Sequence, residues 1–127
     1  MNIINKLSFL GFHSANLILI IFYLYPGSIF GHFLYGDSSI QPQITKDFII
    51  SSNHFYVFFI LASLGIFAYR NTKKLKSLIK YLFLLSTFLE FFHIIIPNRS
   101  FELSDLFGNI VGVVFVIIIY EIRKKYV

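Results

Sequence analysis

The sequence predicts an all-α integral membrane protein, a four-helix bundle with both termini on the cytoplasmic side. Three observations predict it. First, hydrophobic residues make up 57% of the 127 and charged residues 13%, with a mean hydropathy of +0.75, whereas a soluble domain covers itself with roughly 25% charged residues. Second, the apolar residues fall in four long blocks, each near the ~20 residues that ~30 Å of hydrocarbon requires. Third, the basic residues gather between alternate blocks, as topology signals do. The net charge of +5 would suggest nucleic acid in a polar chain, but with this placement no nucleic-acid partner is expected. Zero cysteines exclude disulfides, thiol catalysis and Cys-ligated metal.

The first helix is expected from about 7 to 25, ending at Pro26-Gly27. Its length and bulk, and the absence of an Ala-x-Ala site around Gly27-Ser28-Ile29-Phe30, favour a retained span over a cleaved signal peptide. The twenty residues from Gly27 to Lys46 carry turn signals at Gly31, Gly36, Asp37 and Pro42 and read as an amphiphilic loop. The alternative is that Phe30, His32, Phe33 and Tyr35 form an interfacial segment or partial helix. A second helix follows over about 48–69, a third over about 78–96 up to Pro97, and a fourth over about 104–122 up to Arg123-Lys124-Lys125. None can be a strand of an open sheet, which would leave backbone groups unpaired in lipid. The short link from Pro97 to Leu103 makes the last two helices antiparallel neighbours, and 1–127 forms a single domain without internal repeats. With both termini inside, Lys6, Arg70, Lys73, Lys74, Lys76, Lys80, Arg123, Lys124 and Lys125 are cytoplasmic and only Lys46 and Arg99 are outside. That asymmetry sets the orientation.

Ionisable groups within spans are costly, face the bundle interior and mark functional candidates. His54 lies seven residues after Asp47, and Glu90 seven before Pro97, which puts both roughly 10 Å below the outer boundary at ~1.5 Å per residue. Glu90 and His93 share one helical face, as do Asp105, Asn109 and Gly112. Arg99, in the link between these helices, is expected to reach down and pair with Glu90 or Asp105. The candidate polar cluster is therefore His54, Glu90, His93, Arg99, Asp105 and Asn109 near the outer face. The other half of the bundle offers only His13, Ser14 and Asn16. Gly108-x-x-x-Gly112 would let another helix approach closely, or is chance in a Gly-tolerant helix.

Three readings compete for the cluster. It can be structural, pairing buried charges to hold the bundle in register. It can be a recognition or catalytic pocket for an anionic headgroup, with Arg99 as phosphate or carboxylate fork and His54 or Glu90 as proton carrier. It can be a metal site, because Glu90-x-x-His93 facing another His resembles carboxylate–histidine spacing. Glu-x-x-His alone is a weak motif and Arg99 nearby would repel a cation, which ranks that last, so neither metal nor cofactor is assigned.

The ordered set Asn53-His54-Phe55, Leu89-Glu90-Phe91-Phe92-His93, Pro97-Asn98-Arg99, Ser104-Asp105-Leu106 and Asn109-Ile110-Val111-Gly112 resembles the VanZ-like family of small bacterial membrane proteins over essentially the whole chain. The family pattern has a His-Phe pair, Glu-x-x-Gln, a Pro-x-Arg loop and Asp-x-x-x-Asn-x-x-Gly. Here the Gln is replaced by His93, and Ile50 and Ser51 stand where an Asp-Lys pair often precedes the His. The resemblance implies four spanning helices in the bacterial cytoplasmic membrane. It also implies a link to low-level resistance against teicoplanin, a glycopeptide with a lipid tail, by a mechanism that the family name does not settle.

Binding of an amphiphile or envelope-lipid headgroup ranks first among functions. Modification of a phosphate-containing envelope lipid ranks second, with His54 as acid or base, and transport third, since no continuous polar path crosses the bundle. Membrane lipids are the expected partners, with an amphiphilic antibiotic or envelope lipid as ligand, and homo-oligomerisation is left open.

Overall fold

The structure, a computed structural model, describes residues 2–127. Five helices succeed one another, α1 (Ile3–Leu24), α2 (Ile29–Tyr35), α3 (Ser52–Tyr69), α4 (Leu75–Phe92) and α5 (Leu103–Tyr126), with no strand among the described residues. α1, α3 and α5 are long and apolar enough to cross a membrane. α4 matches α3 in length but carries Lys76, Lys80 and Glu90 within its 18 residues.

Each long helix sits a few residues from its expected range, and the local hydrogen bonds explain the shifts. α3 begins at Ser52 rather than near 48 because Asp47 Oδ1 accepts the Ser52 N–H (2.9 Å) and the Ser51 N–H is drawn to the Ser104 carbonyl of α5 (3.0 Å). α4 stops at Phe92, after which the backbone tightens into turns in which His93, Ile94 and Ile95 donate three residues back. Pro97 therefore follows the helix end at a distance. α5 runs on through Arg123, Lys124 and Lys125, where cations favour the carbonyl end of the helix dipole.

The stretch read first as an amphiphilic loop contains a helix, as the alternative reading of Phe30, His32, Phe33 and Tyr35 as a partial helix has it. α2 starts on Ser28, whose hydroxyl accepts the Gly31 N–H (2.9 Å), and ends on Gly36 in the left-handed region at φ 66°. There the Gly36 and Asp37 N–H groups return to the His32 and Gly31 carbonyls, an ending that favours glycine because it lacks a Cβ. Beyond it, Ser39 donates its N–H and hydroxyl to Asp37, which lowers the pKa of that exposed carboxyl. The loop then folds back over α3, with the Asn53 side chain bridging Pro42 and Ile44.

α3 is the hub, packing on α1, α4 and above all α5. Phe12, Phe58, Leu61, Ala62, Leu82, Leu89 and Val113 form the core. Outside it the helices stay apolar, with Leu7, Leu10 and Leu17 on α1 and Phe115, Ile118 and Ile122 on α5 all exposed. Helices apolar on both inner and outer faces suit a lipid surround. The tight α3–α5 contact uses Gly108 and Gly112, where an added Cβ would stand 2.7 Å from the Ser51 and Phe55 carbonyl oxygens. The glycine pair thus serves packing inside the chain.

Candidate functional site

α1 ends, α3 begins, α4 ends and α5 begins at one pole of the bundle, and the termini lie at the other. His54 is in the first turn of α3 and Glu90 in the last turn of α4. The site therefore sits at the helix ends, shallower than the ~10 Å burial expected from helices starting near 48 and ending near 96.

Asn109, fully buried, organises the site. Its Nδ2 donates to the Ser86 carbonyl (3.0 Å), which turns Oδ1 towards Tyr23 and His54. The Tyr23 hydroxyl donates to that oxygen at 2.5 Å. His54 Nδ1 lies 3.0 Å from the same oxygen and 2.6 Å from the Tyr23 hydroxyl. Because Asn109 Oδ1 can only accept and the tyrosyl proton is already placed on it, the arrangement is consistent when His54 Nδ1 carries a hydrogen. The other ring nitrogen, Nε2, faces Asp105 Oδ2 at 3.5 Å.

His93, 2% exposed, donates from Nε2 to the Tyr23 carbonyl (3.0 Å), and its ring stacks on Tyr23 with centroids 5.4 Å apart. Its Nδ1 faces Glu90 Oε1 at 3.3 Å, an oxygen that also accepts the Glu102 N–H at 3.2 Å. Glu90 Oε2, in a carboxylate with no solvent exposure, has no hydrogen-bond partner. It points into the cluster, 3.9 Å from His54 Nδ1. One ligand atom from each of His54, Glu90 and Asp105 lies within 4.8 Å of the others, so these three, rather than the Glu90–His93 pair, are the residues that could hold a metal.

All six candidate residues come to this pole, but Arg99 does something other than expected. It donates from Nε to the Tyr25 carbonyl (3.1 Å) and from Nη2 to the Phe22 carbonyl (2.9 Å), and makes no ion pair with Glu90 or Asp105. The cause is positional. Asn98 takes a left-handed conformation (φ 60°) that asparagine tolerates, and this swings Arg99 over the carbonyl end of α1, where α1 has unsatisfied acceptors. Desolvation lowers the guanidinium pKa, and the charges of Glu90 and Asp105 oppose that shift. The Arg99 charge thus still acts on both carboxylates, although it forms an ion pair with neither.

Tyr23 and Ser86 were missed from sequence. A tyrosine three residues before Pro26 looks like a headgroup anchor, and only its shared level with His54 and His93 could have flagged it. At the opposite pole His13 meets the Tyr69 hydroxyl (3.1 Å), and Asn16 accepts from Tyr81 (2.7 Å).

Two concavities meet at the cluster. A polar cup of about 300 Å³ includes Asp47, Ser51, Glu102 and Asp105. An apolar groove of about 390 Å³ runs between α1 and α3 past Phe22, Leu19, Val57, Ile60 and Ala15. His54, His93, Arg99, Asn53, Gln41 and Ser28 line both. From Tyr23 to Ala15 the groove wall descends eight residues of helix, about 12 Å.

The family model described as VanZ/LLP1 matches residues 5–124, nearly the whole chain. No curated protein and no solved structure matches.

Proposed function

The chain belongs to the VanZ/LLP1 family, and on that footing we propose that it binds a single amphiphile, its polar head in the polar cup and its hydrocarbon chain in the α1–α3 groove. The continuity of cup and groove through six shared residues carries this reading, because an apolar slot with a few convergent polar groups at its mouth suits such a ligand. The proposal includes a multi-pass placement in the bacterial cytoplasmic membrane, with the cup at the outer surface and the basic termini inside. An envelope lipid and lipid-tailed teicoplanin both have the required chemistry.

The test uses purified protein in nanodiscs with a long-chain phosphate monoester bearing a photoactivatable group in its chain. Cross-links are expected on α1 and α3 around Ala15 and Val57. Ala15→Phe should cut them about tenfold or more, since overfilling a packed groove costs ~1–3 kcal/mol. Competition by teicoplanin, together with altered teicoplanin susceptibility on deletion, would identify the antibiotic as ligand; competition by envelope lipid alone would identify the lipid. Labelling spread evenly over all exposed helices would mean bulk solvation and end the proposal.

A second reading, an enzyme acting on a phosphate-containing envelope lipid, is favoured by one observation: a histidine and two carboxylates converge beside the cup. Unchanged envelope lipids on deletion, with a functional His54→Ala variant, would refute it.

A further inference from the structure

We infer that His54, Glu90 and Asp105 form a binding site for one first-row divalent cation of the Zn²⁺ or Mn²⁺ class. The inference does not depend on the amphiphile reading, since the cation needs no lipid to bind.

Four observations carry it. Glu90 Oε2 is a fully buried acceptor without a donor, and the nearest candidate, the proton on His54 Nδ1, is already directed at Asn109 and Tyr23. A buried oxygen left in this way calls for a donor or a cation from outside the chain's own hydrogen bonds. In the neutral tautomer with its hydrogen on Nδ1, His54 would present the lone pair of Nε2 towards Asp105 Oδ2. Their 3.5 Å separation is longer than the ~2.7–2.9 Å of a charge-assisted hydrogen bond. It falls instead at the edge of a coordination tetrahedron, about 3.3–3.6 Å for ligands ~2.0–2.2 Å from zinc, while the three ligand atoms together lie within 4.8 Å of one another and would draw in on the ion. Finally, Arg99 donates to the α1 carbonyls and forms no ion pair with either carboxylate, although their charges still act on it.

The surroundings have the form of a metal site's supporting shell. A ligating histidine usually donates its second ring nitrogen to an oxygen that fixes tautomer and orientation, and Asn109 Oδ1, itself locked by the Ser86 carbonyl, does so here. One imidazole nitrogen with two carboxylate oxygens and no thiolate selects Zn²⁺ or Mn²⁺ over Cu⁺, and over Mg²⁺, which prefers an all-oxygen octahedron. His54 and Asp105 also line the polar cup, so a remaining coordination position opens where an anionic oxygen could enter.

The test is metal binding by the full chain, purified in detergent without a histidine tag and stripped with chelator. Titration with Zn²⁺ and with Mn²⁺, read by calorimetry and elemental analysis, should show one ion per chain and a raised melting temperature. His54→Gln, Asp105→Asn and Glu90→Gln should each weaken binding by more than about a hundredfold, beyond the ~10–100-fold typical of supporting residues. The double variant His13→Ala/His32→Ala, at the two histidines that line neither concavity, should bind as the parent does. Should Glu90→Gln fail to accumulate, the partly exposed Asp105 and His54 decide. Absence of stoichiometric binding at submillimolar metal, or binding that survives Asp105→Asn and His54→Gln, overturns the site and leaves a protonated His54 as the partner of Asp105. Either result leaves amphiphile cross-linking, measured with chelator present, to be judged separately.

Discussion

Asn109 shows how one side chain decides a site. It satisfies three partners at zero exposure, so Asn109→Leu should lose about 2–3 kcal/mol by stranding buried polar groups, whereas Tyr23→Phe should lose about 1 kcal/mol because His54 keeps its bond to Asn109. Thermal unfolding in detergent measures both, and equal losses would contradict the hub role. Arg99 acts as a cap on α1, so Arg99→Ala should cost about 1.5–3 kcal/mol, and Arg99→Lys should restore less than half of it because an ammonium lacks the planar fork. An unchanged melting temperature for Arg99→Ala would remove the cap. His54, Glu90, His93, Asp105 and Asn109 were legible because polar groups stand out against apolar periodicity. The partner of Arg99 was not legible, since a long side chain in a turn goes where the backbone angle at Asn98 aims it.

The helices as elements were readable and their ends less so. Hydropathy reports how far a segment is apolar, but the start of α3 is set by Asp47 and by a bond from Ser51 to α5, and neither leaves a hydropathy signal. α2 ranked only as the alternative to a loop, because seven residues are short for any periodic signal. The α3–α5 interface yields a paired prediction from two kinds of glycine. Gly112→Val should destabilise the protein by roughly 1–3 kcal/mol, since its new side chain meets the α3 backbone. Gly11→Ala, with nothing within 4 Å of the added Cβ, should be neutral or stabilising by up to about 1 kcal/mol. Comparable losses at both would show that helix propensity, not close approach, dominates.

For the whole molecule, the absence of cysteine makes topology directly testable. A Gln43→Cys variant is expected to react with a membrane-impermeant maleimide in intact cells, and an Asn71→Cys variant only after lysis. The opposite pattern would turn the cup to the cytoplasm and detach the proposed envelope ligand. By itself the sequence determined that this is an apolar, all-helical chain with scarce polar groups near one end of its helices, because composition and periodicity are local properties that a bilayer constrains strongly. The tertiary structure alone decided which of those groups meet. Only packing three-dimensional helices against α3 sets the azimuth of each side chain, and thereby sends Arg99 to the end of α1 while bringing Glu90, His54 and Asp105 together.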